Sequence, residues 1–270
     1  MTKKTGTMYF SPTNTTQRIC NAVACGMGVN DMQIMDITPH KTRTAIIANI
    51  HTISEKIDHL IVGSPVYSGK LPLQVMEVLK SLHGNGKEAT AIVVYGNRDY
   101  GIALYNMVEL LSERGFKIAA AGAYIGQHSY SNIVPVAMGR PDVSDLEKAR
   151  HLGIKSVHVS KWLSLKDIPF HIDEASKSEK YIALKTVHIE KQCIRCGKCA
   201  EKCPVGLLSS DTGQYLNPTS KEQCIGCMAC VYACMQKAKV AEINPTIKLA
   251  MEKKLGQASR ERKEPLILLA

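Results

Sequence analysis

The chain has 270 residues, of which 45% are hydrophobic and 21% charged. These values exclude a disordered protein, and no apolar run reaches the roughly 18 residues of a membrane-spanning helix. The formal net charge of +10 makes nucleic acid or an anionic membrane a partner to weigh against the rest of the sequence. Residues 1–6 are not followed by the apolar core of a secretory signal, so we expect a cytoplasmic protein without stable membrane insertion. Ten cysteines in that setting indicate metal binding or catalysis.

Residues 1–165 are predicted to form one domain, in which short apolar runs alternate with segments of helical periodicity. The predicted strands are 6–10, 33–37, 59–63, 89–95 and 118–125. The predicted helices are 15–25, 45–50, 73–82, 102–114 and 144–163. Continuous apolar strands indicate burial on both faces, as in a parallel sheet between helices. The pattern predicts an α/β fold with a five-stranded doubly wound parallel sheet, which binds ligands at the carboxyl ends of its strands.

The character of the chain changes after Trp162. Residues 166–186 indicate a linker, and 187–245 a separate, small α+β unit organised by cysteines, with a strand at 186–189. Residues 246–270 indicate a helix ending near Gly256 and a tail whose last apolar run, 266–269, is expected to pack back onto the body.

The cysteine unit contains an internal repeat. Cys193, Cys196, Cys199 and Cys203 follow the spacing C-x2-C-x2-C-x3-C with proline after the fourth, and the spacing recurs at Cys224, Cys227, Cys230 and Cys234. Three closely spaced thiolates can wrap one face of a cuboidal 4Fe-4S cluster, while the fourth is carried to the other cluster. We therefore predict two 4Fe-4S clusters with crossed ligation. Cys234 joins the first three cysteines, and Cys203 joins Cys224, Cys227 and Cys230.

A pair of zinc sites is the alternative reading, because C-x2-C pairs also make zinc ribbons. A zinc ribbon needs only pairs of cysteines at this short spacing, so the third cysteine in each motif favours 4Fe-4S clusters over zinc. Residues 187–245 resemble the bacterial two-cluster ferredoxins, with Met235 in place of the second proline.

The predicted clusters change the charge argument. Each oxidised cluster with its thiolates carries about −2, so two of them take the formal +10 to about +6, and a flavin phosphate would remove about two more. We therefore expect no nucleic-acid partner. The remaining positive charge suits redox partner proteins of acidic character. A homodimer is also compatible with the sequence.

A hydroxyl-rich turn lies between the first predicted strand and helix. Successive backbone N–H groups at a helix N-terminus, with hydroxyls beside them, suit a phosphate monoester, although an ordinary helix cap has the same composition. The segment Ser11-Pro12-Thr13-Asn14-Thr15-Thr16 resembles the flavodoxin phosphate loop, with Asn14 where that family has glycine. The resemblance implies FMN binding through Ser11, Thr13, Asn14, Thr15 and Thr16.

Two further loops are similar to flavin-contacting loops of flavodoxins. For the loop after the third strand, the resemblance implies flavin contacts from Ser64, Pro65, Val66, Tyr67 and Gly69, with Tyr67 against the isoalloxazine ring. The loop after the fourth strand implies contacts from Tyr95, Gly96, Asn97, Arg98 and Tyr100. Tyr67 and Tyr95 could instead be plain loop aromatics, and no G-x-G-x-x-G dinucleotide fingerprint follows the first strand.

The whole chain resembles the flavodoxin-ferredoxin fusion proteins of anaerobes. That resemblance implies an electron-transfer protein that couples two-electron FMN to one-electron transfer through the clusters. A flavin-dependent reductase of a small molecule, fed by the clusters, is the alternative, and a binding module with structural clusters is the third. His128 is a candidate proton donor in the second, or a hydrogen-bonded loop residue.

Overall fold

The computed structural model describes residues 3–28, 33–172 and 184–270. Its strands are β1 (Thr5–Tyr9), β2 (Gln33–Asp36), β3 (His59–Pro65), β4 (Glu88–Tyr95), β5 (Lys117–Ile125), β6 (Thr186–His188), β7 (Lys239–Ala241) and β8 (Leu266–Leu269). Within these residues the main sheet has the order β2-β1-β3-β4-β5-β8. The first five strands pair in parallel, and the order 2-1-3-4-5 is that of the flavodoxin-like doubly wound fold. The predicted fold class is confirmed.

Helices cover both faces of the sheet. They are α1 (Thr15–Gly26), α2 (His40–Ala48), α3 (Ile50–Glu55), α4 (Leu73–Ser81), α5 (Ala103–Glu113), α6 (Val143–Ser156), α7 (Lys198–Glu201), α8 (Pro218–Glu222), α9 (Ala229–Ala233) and α10 (Pro245–Arg260). One apolar core joins α4 and α5 to the sheet, and a second joins α1 and α6 to its other face. Because α1 and α6 pack closely, a Cβ added at Gly153 would lie 2.0 Å from the carbonyl oxygen of Val23.

The sheet differs from the predicted five strands in one respect. β8 pairs antiparallel with β5, with Leu269 opposite Ala120 and Leu266 opposite Ala123, and so adds a sixth strand at the edge. The tail predicted as a separate segment therefore completes the first sheet. Its four apolar residues fit there because the edge of β5 supplies backbone partners and an apolar surface.

Three predicted helices have different bounds. The predicted helix 45–50 is replaced by α2 and α3, and Asn49 separates them while its side-chain amide donates to the carbonyl of Ala45 at 2.9 Å. The helix predicted over 144–163 ends at Ser156, because the chain turns back so that the Leu163 N–H reaches the Ile118 carbonyl at 2.9 Å. α10 continues past Gly256 to Arg260.

The extension of α10 has a packing cause. Leu255 and Ala258, on either side of Gly256, are buried against Val134 and Val136 in a third apolar cluster. This burial outweighs the cost of a glycine inside a helix, which is about 1 kcal/mol.

The cysteine unit is built around the antiparallel pair β6 and β7, with the short helices α7, α8 and α9. The domain boundaries 1–165, 166–186, 187–245 and 246–270 stay predictions, and residues 173–183 of the predicted linker lie outside the described residues. No helix in the described part of the chain combines the length and apolarity needed to cross a membrane.

The cysteine unit packs against the edge of the main sheet where the parallel strands end. The hydroxyl of Tyr232 donates to the carbonyl of Ser129, in the loop after β5, at 3.1 Å. The N–H of Leu184 donates to the hydroxyl of Tyr130, in the same loop, at 3.1 Å. The fold therefore brings the cysteines to the edge at which doubly wound sheets bind ligands.

Candidate functional site

The eight motif cysteines line two separate cavities. The first cavity is lined by Cys193, Cys196, Cys199 and Cys234, and the second by Cys203, Cys224, Cys227 and Cys230. These are the two crossed sets that the spacing predicts. The structure brings each fourth cysteine to the opposite motif, whereas ligation itself stays a prediction.

Backbone N–H groups point at sulfur in both sets. The N–H of Arg195 donates to Cys193 Sγ at 3.3 Å, and the N–H of Leu207 donates to Cys203 Sγ at 3.4 Å. Gly197 has φ of +71°, a left-handed conformation that glycine adopts without strain as the loop turns into α7. Such loops can bring further amides close to a bound cluster.

Each cavity is surrounded by four cysteines, and four thiolates are the ligands that hold a 4Fe-4S cluster. The donor chemistry of each set therefore fits such a cluster. Burial raises the pKa of the Cys230 thiol to about 12 and that of Cys227 well above its usual value, so thiolates here need a compensating positive charge. Iron would supply that charge.

Lys239 on β7 lies between the two cysteine sets and was not foreseen from the sequence. It is 1% exposed, its Nζ donates to the carbonyl of Gly213 at 3.0 Å, and it lies 4.8 Å from the ring centre of Tyr215. Burial lowers the pKa of Lys239, and the thiols that oppose this shift most are those of Cys230 and Cys199, one from each set. A buried ammonium is thus held beside both candidate cluster sites.

His188, at the end of β6, is a second unforeseen residue. It lines the first cavity, and among the described residues neither of its buried ring nitrogens has a hydrogen-bond partner. A Cβ added at Gly213 would lie 3.0 Å from His188 Cε1 and 3.1 Å from Cys199 Sγ, so the ring and the sulfur flank the same glycine.

The predicted phosphate loop begins α1. Thr13, Asn14 and Thr15 line a cavity of about 330 Å³, and Asn14 takes the left-handed conformation, with φ of 65°, that its place in the loop requires. Ser11 and Thr16 lie behind this wall: Ser11 Oγ accepts from the N–H of Gln17 at 3.0 Å. Within the described residues, the buried Thr16 Oγ1 has no hydrogen-bond partner. Of the five predicted phosphate contacts, Thr13, Asn14 and Thr15 are therefore the ones placed to meet an anion in this cavity.

The charges around the phosphate cavity are positive. Arg18, Arg140 and Lys202 line it. Arg140 is engaged by Asp145, to which its Nε donates at 2.8 Å, whereas Arg18 on α1 is exposed. Lys202 comes from the cysteine unit, so both parts of the chain contribute cations to a site suited to an anion.

A larger cavity of about 540 Å³ adjoins the phosphate cavity, because His128 and Ser129 line both. Val66, Tyr67 and Arg98 among the predicted flavin contacts line it. Its other walls come from the loop after β3, the loop after β5, the segment before β6, the cysteine unit and α10, namely Ser68, Tyr130, Leu184, Ile225, Ile247, Ala250, Met251, Lys254 and Leu255. Its size and mixed apolar and polar lining are those of a small-molecule site.

Several predicted flavin contacts do not line either cavity. The hydroxyl of Ser64 donates to the carbonyl of Pro65 at 2.9 Å. Tyr95 meets Tyr100 edge to face, with ring centres 5.7 Å apart, and burial raises the pKa of Tyr95 to about 12. Gly69, φ +75°, lies in the turn whose neighbours Tyr67 and Lys70 form a β-bridge.

Gly96 and Asn97 have structural partners instead. A Cβ at Gly96 would lie 2.4 Å from the ring of His128, so the glycine allows that ring to pack. The side-chain amide of Asn97 donates to the carbonyls of Ala258 and Glu261, each at 2.6 Å, and so holds the end of α10. No pattern in the sequence indicates that the last helix returns to this loop.

His128 is held in a defined tautomer. The backbone N–H of Tyr130 donates to Nδ1 at 3.1 Å, so in the neutral ring the proton is on Nε2. Burial, helped by the charge of Arg98, lowers the pKa of His128 to about 4, which keeps the ring neutral near pH 7. The ring can therefore donate one hydrogen bond where the two cavities meet.

Tyr130 connects the larger cavity to the second cysteine set. The pKa of its hydroxyl is raised to about 12, chiefly by burial, and Cys224 and Cys227 are close enough to contribute to this rise. Ile225 lines both the larger cavity and the cavity of that set. The candidate flavin site and the second candidate cluster site are thus separated by little more than one layer of side chains.

Comparisons with known proteins agree with this division. Residues 170–239 match a family model described as a 4Fe-4S dicluster domain. With the strand order, this match defines a protein with a flavodoxin-like domain and an iron-sulfur domain. No curated protein matches the chain significantly.

Several solved structures resemble part of the chain at low sequence identity. A flavodoxin from the domain Archaea is 19% identical, over 56% of this chain and 94% of its own, with a TM-score of 0.42. A flavodoxin, WrbA-like protein from Agrobacterium tumefaciens is 20% identical, over 57% and 96%, with a TM-score of 0.36. The rubredoxin oxygen:oxidoreductase of Desulfovibrio gigas is 18% identical, over 56% of this chain and 34% of its own, with a TM-score of 0.44.

Proposed function

We propose that this protein is an electron-transfer protein that couples FMN to one-electron transfer through two 4Fe-4S clusters. The observation that carries the proposal is the shared wall between the larger cavity and the second cysteine set, formed by Ile225 beside Tyr130. A bound flavin would supply two-electron chemistry, and each cluster would pass one electron at a time.

The chain's own residues have distinct parts in this function. Thr13 and Thr15, with the amides at the start of α1 and the cations Arg18 and Lys202, would hold the phosphate. Tyr67 and Val66 would contact the ring. His128 would present an Nε2 proton to it from a fixed, neutral imidazole.

The cysteines would hold the clusters as Cys193, Cys196, Cys199 and Cys234 for cluster one and Cys203, Cys224, Cys227 and Cys230 for cluster two. The sets lie side by side, with Lys239 between them. Cluster two would thus stand between the flavin and cluster one. The cysteines must stay free of disulfide bonds to bind iron, and the cytoplasm keeps thiols reduced, so we propose a cytoplasmic location.

Anaerobic reconstitution with iron, sulfide and FMN tests the proposal. We expect two four-iron clusters and one FMN per chain, measured by iron, sulfide and flavin analysis with the visible spectrum. Cys234→Ser should lose cluster one and keep most of cluster two, whereas Cys25→Ser, at an exposed cysteine of α1, should lose neither. Reconstituted protein with single zinc ions, or without flavin, would contradict the proposal.

Reduction of a small molecule at the flavin is the second candidate. The polar groups of Arg98 and His128 in the larger cavity favour it, and Leu184, Ile225 and residues of α10 line other parts of the same cavity. Quenching of FMN fluorescence by iodide distinguishes the two functions. Weak quenching fits a covered flavin that exchanges electrons through the clusters, and strong quenching fits a site open to substrate.

A further inference from the structure

The two cysteine sets differ in exposure. Cys227 and Cys230 of the second set are 7% and 9% exposed and Cys203 and Cys224 are part-exposed, and the cavity of this set shares Ile225 with the larger cavity. In the first set Cys196 is exposed, and the other three are part-exposed. The first set is thus the more exposed of the two, and a protein that exchanges electrons with a cluster can approach it more closely.

Two exposed apolar side chains stand at the first set. Ile194, between Cys193 and Cys196, is 65% exposed, and Met235, directly after Cys234, is 84% exposed. Both line the cavity of this set, so they belong to the same face. Two large apolar side chains at one candidate redox centre form the kind of apolar centre that protein interfaces bury.

The charges on this face are positive. The charged residues that line the cavity are Arg195, Lys198 and the buried Lys239. The carboxylate of Glu190 lies 3.8 Å from the guanidinium of Arg195, and both side chains are about 70% exposed, so water screens the pair. We call the surface formed by Ile194, Arg195, Lys198 and Met235 the cluster-one face.

We infer that the cluster-one face docks an acidic one-electron carrier protein. This inference rests on the proposed function, since it requires a cluster behind the face. The apolar centre would be covered by the partner, and Arg195 and Lys198 would attract its carboxylates and speed the encounter. One electron passes from the reduced cluster to the oxidised metal centre of the partner, and no bond forms or breaks.

Two acceptor proteins of opposite charge test the inference. The reconstituted protein is reduced anaerobically with dithionite, freed of excess reductant, and mixed in a stopped-flow instrument with oxidised rubredoxin, which is acidic, or with cytochrome c, which is basic. We expect the second-order rate constant with rubredoxin to fall as salt is raised. The double variant Arg195→Glu/Lys198→Glu should lower it about tenfold and raise the rate with cytochrome c.

A matched control changes the same charge elsewhere. Lys80→Glu/Lys155→Glu alters two exposed lysines on α4 and α6, away from the cluster-one face, and should change the rubredoxin rate less than about twofold. Met235→Gln should lower the rubredoxin rate without changing its salt dependence, because it removes apolar contact and no charge. Iron and sulfide contents are measured for every variant.

The outcomes separate the two ideas. Wild-type protein without clusters contradicts the proposed function. Intact clusters with equal rubredoxin rates in both double variants overturn the docking inference alone. Loss of a homodimer in Arg195→Glu/Lys198→Glu, seen by sedimentation, also overturns it by assigning the face to a second copy of the chain. Binding of double-stranded DNA that this variant abolishes would assign the face to nucleic acid instead.

Discussion

Arg43 on α2 donates a hydrogen bond of 3.0 Å from Nη2 to the carbonyl oxygen of Pro204, the residue after Cys203. The guanidinium is buried, and its Nη1 also donates to the carbonyl of Ile37, at the end of β2, at 3.0 Å. One side chain thus joins the edge of the main sheet to the loop that carries a predicted ligand of cluster two. The position of that cluster relative to the flavin cavity depends on this contact.

Arg43→Met should therefore loosen the contact between the two parts of the chain. The variant leaves two buried carbonyl oxygens without their charged donor, so we expect a loss of about 3 kcal/mol in the free energy of unfolding. Urea unfolding of the reconstituted protein measures it. Arg114→Met, at an exposed arginine that ends α5, should cost less than about 0.5 kcal/mol. Equal losses in the two variants would refute the role of Arg43.

The attachment of α10 to the loop after β4 gives a second prediction. Asn97→Asp keeps the shape of the side chain but replaces the amide donor with a carboxylate facing the carbonyls of Ala258 and Glu261. We expect a destabilisation of about 3 kcal/mol and faster hydrogen exchange in α10, read by mass spectrometry.

Asn85→Asp is the matched control for this change. Asn85 also has a positive φ, 48° against 60° at Asn97, but it lies exposed in the turn before β4. Its substitution should leave the exchange of α10 unaltered. If the two variants change the rate of hydrogen exchange in α10 equally, Asn97 does not stabilise the end of α10.

Much of the main fold could be predicted because its strands are continuous apolar runs. The predicted strand 89–95 differs from β4 by a single residue at its start. β8 could not be assigned to the sheet in the same way. Its four apolar residues have no periodicity that separates strand from helix, and its partner β5 lies far away in the sequence.

The candidate site was predictable only where spacing along the chain carries the chemistry. Cysteine spacing alone separates the eight thiols into the two sets that line the two cavities. Lys239 and Tyr130 carry no such signal, because their positions follow from tertiary packing. Asn97 was predicted to contact flavin, and its partners on α10 come from the opposite end of the chain.

His128 predicts a dependence of stability on pH. Burial lowers its pKa in the folded protein from an ordinary 6.5 to about 4, so the unfolded chain binds the extra proton between these values. The stabilisation is complete above pH 6.5 and falls as pH decreases toward 4, by about 3 kcal/mol in all. The free energy of unfolding, measured with urea at several pH values between about 7 and about 5, should therefore decrease as the pH is lowered.

His128→Asn should flatten that slope, because the asparagine oxygen can accept the N–H of Tyr130 and does not titrate. Stability at neutral pH should also fall, since the smaller side chain packs less well against Gly96. His158→Asn, at an exposed histidine after α6, should keep the slope of the unmodified protein. If the pH dependence of the free energy of unfolding is unchanged in His128→Asn, that dependence does not come from His128.

Lys239→Met should shift the potentials of both clusters in the same direction. The ammonium lies close enough to both cysteine sets to interact with thiols of each, so its loss removes a positive charge that favours the more negative, reduced clusters. Redox titration followed by electron paramagnetic resonance should give lower midpoint potentials for both. Lys237→Met, two residues earlier and exposed, should produce a smaller shift because water screens its charge. A shift confined to one cluster, or equal shifts in the two variants, would mean that Lys239 does not act between the clusters.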